Sequence, residues 1–244
     1  MNLRIAIDTG GTFTDVVVID EASGAQHAIK TPSTPGDPSV GLLTGLRKAA
    51  EAAGGAPADV SHVLHGSTTA TNAVLEHKFE GLGLLVTEGF RHVIEIARQS
   101  VPDGYGNSFF WVKPPRLVPL HLVREVGGRL DFEGNELAPL DEQGVIAAVE
   151  ELVADGVKCL AVCLLHSYAD ARHERRVGEI IAENFPDLFV SLSYVVLPEY
   201  REYERAMTTL IDVMVKPYCK TYLNQAAAEI RGEAGDIPFL IMQS

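Results

Sequence analysis

Residues 8–15, Asp8-Thr9-Gly10-Gly11-Thr12-Phe13-Thr14-Asp15, set carboxylates and hydroxyls around a Gly-Gly pair. Glycine meets no steric penalty at positive φ, so Gly10-Gly11 suits a tight hairpin turn. Bare backbone also lets N–H groups come close to an anion, and successive N–H groups form an anion-binding concavity. The chemistry that fits is phosphate binding. Asp8 cannot face a phosphate without a cation between them, which makes it a candidate to hold Mg2+ through water, as Mg2+ prefers. The competing reading is a plain hairpin capped by polar turn residues, and the Gly-Gly pair alone does not decide between the two.

A second group lies at His65-Gly-Ser-Thr-Thr-Ala-Thr-Asn72, between a strand and a helix. Ser67, Thr68 and Thr69 sit where the helix begins, and free N–H groups there attract an anion. Ser and Thr are equally at home there as ordinary N-caps, so capping stays open as the alternative. His65, at a strand end, reads as a packed and hydrogen-bonded side chain. A third group opens the last helix, Glu199-Tyr-Arg-Glu-Tyr-Glu-Arg205, where the charges alternate in sign as on a solvated helix face. Glu204 and Thr208 share a face there, with Arg205 alongside, and Glu204 and Arg205 are carried as substrate or phosphate candidates.

The elements that must position these groups follow from periodicity and breakers. Leu3–Ile7 and Phe13–Ile19 predict two strands flanking the Gly-Gly turn, and Gln26–Thr31 a third. A breaker-rich loop leads to a helix over Val40–Ala53, capped by Asp37, begun at Pro38 and ended by Gly54-Gly55. Val60–Leu64 and Gly83–Thr87 predict strands, with a helix between them to about His77 and a short one over Gly89–Ile96. Residues 99–120, with the lone Trp111, are irregular, and a stretch that long is often functional or an interface. Leu122–Leu130 predicts a strand, Asp131–Asn135 a turn, Asp141 the cap of a helix to Ala154, and Val157–Leu165 a buried strand. A helix over Ala171–Asn184, a strand over Phe189–Leu192, a helix from Glu199 to about Ile230 kinked at Pro217, and a strand from Phe239 complete the chain. Alternating strands and helices place it in the α/β class, with a mixed sheet, flanking helices and a second α/β subdomain around Val157–Leu165.

Composition narrows the function. The chain has 244 residues, a net charge of −13 and 46% hydrophobic residues, an ordinary globular composition. No Lys/Arg run exceeds two residues, which argues against nucleic acid and anionic membrane as partners. The longest apolar run, Cys159–Leu165, is too short to span a bilayer, and the N-terminus lacks a secretory pattern, so the expectation is a cytoplasmic protein. Cys159, Cys163 and Cys219 do not form a disulfide framework. On a strand Cys159 and Cys163 stand roughly 13 Å apart, too far for one zinc at about 2.3 Å from each sulfur. They read as buried structural thiols.

Five blocks carry a resemblance: IDTGGTFTDVVV, HGSTTATNAVLE, LLVTEGFRHVIEIARQ, EYERAMTTLIDVMVKPY and IPFLIMQS. In this order and spacing the chain resembles the hydantoinase A / 5-oxoprolinase family, whose ATP-handling half is similar to the actin-like ATPases. The resemblance implies an actin-like (ribonuclease H-like) first lobe, with residues 1–200 as the family's N-terminal domain and residues 201–244 as the start of the ATPase domain that follows. Asp8 then matches the carboxylate near the metal and γ-phosphate, and Gly10, Gly11, Thr12 and Thr14 match the phosphate loop.

The implied chemistry is ATP- and Mg2+-dependent opening of a small cyclic amide, with a hydantoinase B-type companion subunit. ATP phosphorylates the amide oxygen and water attacks the activated carbon, a division of labour in which the protein mainly positions groups and neutralises charge. A ketone-carboxylase-type subunit would carry the same hairpin. The family continues beyond Gln243-Ser244 into a second lobe, so this sequence is expected to be a fragment, to be completed by another chain, or to be a non-catalytic assembly module.

Overall fold

The computed structural model describes residues 1–34, 36–75, 79, 81–98 and 116–242. Trp111 and most of the irregular 99–120 stretch lie outside the described residues. The chain divides into two compact units, one formed by Met1–Lys78 with Pro217–Ser244 and the other by Phe79–Lys216.

The first unit is built on a five-stranded sheet. Its strands are β1 (Leu3–Thr9), β2 (Phe13–Asp20), β3 (Gln26–Pro32), β4 (Val60–Ser67) and β11 (Phe239–Ile241), in the order β11-β4-β1-β2-β3. β1, β2 and β3 pair antiparallel as a meander, whereas β4 joins β1 and β11 joins β4 in parallel. This mixed order is that of the ribonuclease H-like lobe implied by the resemblance. Strict alternation sends Leu3, Ile5 and Ile7 into the core and Arg4 and Asp8 to the other face. Helix α1 (Pro38–Ala52) packs Leu42, Leu46, Ala49 and Ala50 against that face. Asp37 caps it as expected, accepting hydrogen bonds from Ser39 N at 3.1 Å and Ser39 Oγ at 2.6 Å. Gly54, at φ 78°, lets the chain turn away from the helix end. The short helix α2 (Thr69–Leu75) follows β4.

The second unit carries a four-stranded, wholly parallel sheet. Its strands β5 (Leu82–Thr87), β6 (Val123–Val126), β9 (Cys159–Cys163) and β10 (Phe189–Leu192) lie in the order β10-β9-β5-β6. Strand β9 is buried along its whole length, as a parallel strand covered on both faces must be. Helices α4 (Glu142–Ala154) and α5 (Arg172–Asn184) pack on it through Val145, Val149, Leu152, Val177 and Ile181. The unit also holds the one-turn helices α3 (Val93–Ile96) and α6 (Ser193–Val196).

Two expectations are corrected here. Leu122–Leu130 is not one strand, because β6 ends at Val126 and Arg129–Leu130 forms β7, paired antiparallel with β8 (Glu136–Ala138). The break is Gly127-Gly128: Gly128 has φ 123°, and a Cβ there would lie 2.9 Å from Leu140 Cα. The short helix expected from Gly89 starts only at Val93, since Gly89 itself stands at φ 84°.

Helix α7 (Glu202–Ala234) runs through Pro217, the residue at which the two units divide. Proline gives no N–H to the carbonyl one turn back, so the helix is least tied at that point. Beyond it Tyr222, Ala226, Ile230 and Ala234 repeat every four residues and line the core of the first unit. Among the described residues, no helix is long and apolar enough to cross a membrane.

Candidate functional site

The β1–β2 hairpin closes with Gly10 N donating to Phe13 O at 3.0 Å. A Cβ on Gly10 would approach that same oxygen to 3.0 Å, so the closed turn favours glycine. Asp8 faces Asp15 across the hairpin and Gly66 on the parallel side. Its carboxylate is exposed, and among the described residues no cationic group lies within ion-pair distance of it. Asp15 is instead tied to Lys30 at 3.0 Å. Gly11 and Thr12 are exposed at the tip. Thr14 is not, since its hydroxyl points inward and shares a 2.9 Å hydrogen bond with Ser33.

The structure brings the second sequence group to this tip. Thr9 pairs with Ser67, and Thr68 N donates to Thr9 O at 3.2 Å. Ser67 and Thr68 are exposed beside Asp8, and Thr69 begins α2. A Cβ on Gly66 would stand 3.3 Å from Asp8 Oδ1, and one on Gly11 would stand 3.4 Å from Asn72 Nδ2. Glycine thus leaves room beside the Asp8 carboxylate, at Gly66, and at the turn. Asn72, one turn into α2, donates to Thr68 Oγ1 at 3.4 Å and lies against the Gly11 backbone. No local sequence pattern marks Asn72 or Gly66. Only the parallel β1–β4 register reveals them, because it joins segments nearly sixty residues apart.

This arrangement fits a hydrated Mg2+ and a phosphate. It offers an exposed carboxylate, with no cation beside it among the described residues, for an ion that keeps most of its water, next to the glycine backbone of Gly66.

Behind the tip lies His65, wholly buried. A carbonyl only accepts, so His65 Nδ1 donates to Ile7 O at 3.3 Å, and Nε2 accepts from the Tyr222 hydroxyl at 2.7 Å. The ring stacks on Phe239 at 5.8 Å and meets Tyr222 edge-on at 5.6 Å. Burial pushes the His65 pKa down, against the Ile7 hydrogen bond and the Asp8 charge, so the ring is held neutral. Burial likewise pushes the Tyr222 hydroxyl up to about 12, although the neighbouring Thr9 and Ser67 hydroxyls pull the other way. His65 is therefore the packed, hydrogen-bonded residue the sequence suggested, fastening β1, β4, α7 and β11 directly behind Asp8.

Glu204 and Arg205 lie in the second unit. Glu204 is held low by its own backbone N–H and by Arg98, with which it pairs. Arg205 does not lie on the solvated face its neighbours suggest. It is 1% exposed and donates to Ser167 Oγ at 3.0 Å and to Leu164 O at 2.5 Å, while its guanidinium lies 5.6 Å from the centre of the Tyr168 ring. Ser167 also donates to the buried Glu174 carboxylate at 2.9 Å, which accepts further hydrogen bonds from Leu164 N, Ser193 Oγ and Tyr194 N. Cys163, beside this network, is pushed up to about 11 by burial and is an inert thiol.

Comparison with known proteins places these features in a family. The chain is 34% identical over 229 residues to caprolactamase subunit alpha of Pseudomonas jessenii, covering 92% of this chain and 33% of that protein. It is 32% identical to 5-oxoprolinase 1 of Arabidopsis thaliana, covering 99% of this chain and 21% of that protein. The crystal structure of the ATP-dependent caprolactamase superimposes with a TM-score of 0.84 at 33% identity, over 99% of this chain and 34% of that one. The nucleotide-free structure of acetone carboxylase, described as carrying out ATP-dependent acetone carboxylation, superimposes with a TM-score of 0.86 at 26% identity, over 98% of this chain and 36% of that one. The chain thus spans about a third or less of the length of these relatives. The hydantoinase/oxoprolinase N-terminal region matches residues 4–185, three quarters of the chain, and with the hairpin, the mixed sheet and these relatives it shows that the chain belongs to the hydantoinase/oxoprolinase family.

Proposed function

We propose that this chain is the N-terminal part of an ATP-dependent cyclic-amide hydrolase, acting in the cytoplasm on a hydantoin- or 5-oxoproline-type ring with a hydantoinase B-type companion subunit. The observation that carries the reading is the exposed Asp8 carboxylate, without a cationic partner among the described residues, next to Gly66 and the Gly10-Gly11 turn. The names of the relatives, 5-oxoprolinase and caprolactamase, support the cyclic-amide class. In this reading residues 1–200 form the family's N-terminal domain and residues 201–244 open the ATPase domain that follows.

Asp8 holds Mg2+ through water, and Gly10, Gly11 and Thr12 present backbone N–H groups to the phosphates. Thr14 braces the turn from within through Ser33. Ser67, Thr68 and Thr69 line the neighbouring edge, and Glu204 and Arg205 stay substrate or phosphate candidates within the second unit. MgATP, when bound, supplies the phosphoryl group that converts the unreactive amide oxygen into a leaving group. The residues named here position and neutralise, which is where most of the catalysis of phosphoryl transfer resides.

The test is isothermal titration of MgATP into the chain alone and into the chain mixed with its companion subunit, for the native protein and for Asp8→Ala. Binding that is lost in the variant while the far-ultraviolet spectrum is unchanged supports the reading. Binding unaffected by the substitution refutes the role of Asp8, and no binding in either sample favours an assembly module. The similarity to acetone carboxylase favours ketone carboxylation as a second reading, which product analysis separates from ring opening.

A further inference from the structure

The sheet face that carries Asp8 holds its charges in a defined order. Residues directly opposite one another in a ladder share a face. The register therefore lays Gly66, Asp8, Asp15 and Lys30 in one row across β4, β1, β2 and β3. The next row away from the turn is Leu64, Ala6, Val17 and Ala28, and on the turn side stand Phe13 and Pro32. Neither side brings a counter-charge. Arg4, further along β1 on the same face, is paired with Glu21 at 2.6 Å.

Two carboxylates thus face each other across the hairpin, and like charges directly opposite are destabilising. The row contains one cation to offset them. Lys30 Nζ donates to both oxygens of Asp15, at 3.0 and 3.2 Å, and lies over the Phe13 ring at 5.2 Å. An ammonium therefore already occupies a cation position on Asp15, and Asp8 is left as a single carboxylate. Both partners of the Lys30–Asp15 pair are 58% exposed. A pair so exposed contributes little to folding, so its place in the row matters more than its stability.

The distinction between one carboxylate and two decides what a divalent ion does here. A single carboxylate suits an Mg2+ that keeps water and takes its other ligands from substrate phosphates. Two facing carboxylates, both open, hold a free divalent ion without any nucleotide.

We infer that Lys30 is a specificity-determining residue of this hairpin: by holding Asp15 it keeps the facing carboxylates from chelating free metal, so that the divalent ion enters with the nucleotide. Exclusion of free metal follows from the Asp8–Asp15–Lys30 row alone; entry with nucleotide rests on the reading of Asp8 above.

The experiment uses Mn2+ as the probe, titrated without nucleotide and followed by the electron paramagnetic resonance of the free ion. The samples are the native chain, Lys30→Arg, Lys30→Met and Lys30→Gln, and Lys30→Met combined with Asp15→Asn or with Asp8→Asn, with circular dichroism to verify folding. The native chain and Lys30→Arg are expected to bind weakly. Lys30→Met and Lys30→Gln are expected to bind about fivefold tighter, the scale of one cross-strand charge pair. Both double variants return to the native level. An affinity unchanged in Lys30→Met and Lys30→Gln overturns the inference, as does a gain that survives removal of Asp15 or Asp8. MgATP titration of the native chain and Asp8→Ala reports the nucleotide reading separately, so failure of one is distinguishable from failure of the other.

Discussion

Tyr222→Phe tests how firmly the buried histidine fastens the sheet behind Asp8. The substitution keeps the ring and its edge contact with His65 but removes the hydroxyl that donates at 2.7 Å to Nε2. His65 is wholly buried and Nδ1 is engaged with Ile7 O, so Nε2 is left without that donor in a dry site. An unsatisfied buried acceptor costs about 1–3 kcal/mol, and the low end is expected if water enters. The pH dependence has a defined sign. Burial lowers the folded-state pKa of His65, so the unfolded chain takes up a proton that the folded chain refuses. The stability this neutral ring contributes is complete above the ordinary histidine value, about 6.5, and is lost as pH falls below it. The limiting slope for one such group is about 1.4 kcal/mol per pH unit. The assay is urea unfolding of the native chain, Tyr222→Phe and His65→Gln at pH 8, 6.5 and 5.5, with tryptophan-independent detection by circular dichroism. Burial lowers the pKa of His166 as well, so the quantity of interest is the difference between the native chain and His65→Gln. A Tyr222→Phe loss below about 0.5 kcal/mol, smaller than one typical hydrogen bond, refutes the argument. So does an acid slope that His65→Gln leaves unaltered.

Other predictions rest on separate contacts. Gly45→Ala places a Cβ 2.7 Å from Val16 Cγ2, so α1 must lift from β2; a loss of about 1–3 kcal/mol is expected in chemical denaturation. Gly81→Ala is worse, because its Cβ would meet Gly156 O at 2.5 Å and the residue stands at φ 64°; thermal unfolding of the purified variant should shift well below the native midpoint. Glu174→Gln turns an acceptor of four donated hydrogen bonds into a group that carries two hydrogens, and should destabilise the second unit by about 2 kcal/mol or more, measured by hydrogen exchange at Leu164 and Tyr194. If the α2 edge serves phosphate or substrate, Thr68→Val lowers turnover of the assembled enzyme at unchanged melting temperature. If Thr68 only caps, the melting temperature falls and kinetics hold.

The hairpin was legible because two signals agreed, the alternation of apolar residues along β1 and β2 and a glycine pair between them. The helices were legible where caps marked them, as at Asp37 and Asp141. Gly127-Gly128 does not announce a break in the sequence, because apolar residues on both sides continue the strand pattern, and only the close approach of Leu140 shows why the chain bends there. Arg205 illustrates a deeper limit. Alternating charge along Glu199–Arg205 suggests solvent, yet the acceptors that draw Arg205 inside, Leu164 O and Ser167 Oγ, lie about forty residues earlier. Asn72 became part of the candidate site for the same kind of reason, since no local pattern announces that it meets Gly11.

The order of the chain imposes an order of assembly. The second unit is continuous in sequence, whereas the first is begun by Met1–Lys78 and finished by Pro217–Ser244. During synthesis, at about 5–20 residues per second, β4 therefore waits with one edge unpaired until all of Phe79–Lys216 and the whole of α7 have emerged. His65 stays open to water in that interval, because Tyr222 and Phe239 arrive last. At that rate the nascent chain must guard that edge for about 9–35 s, while the unit inserted in the middle is already complete in sequence.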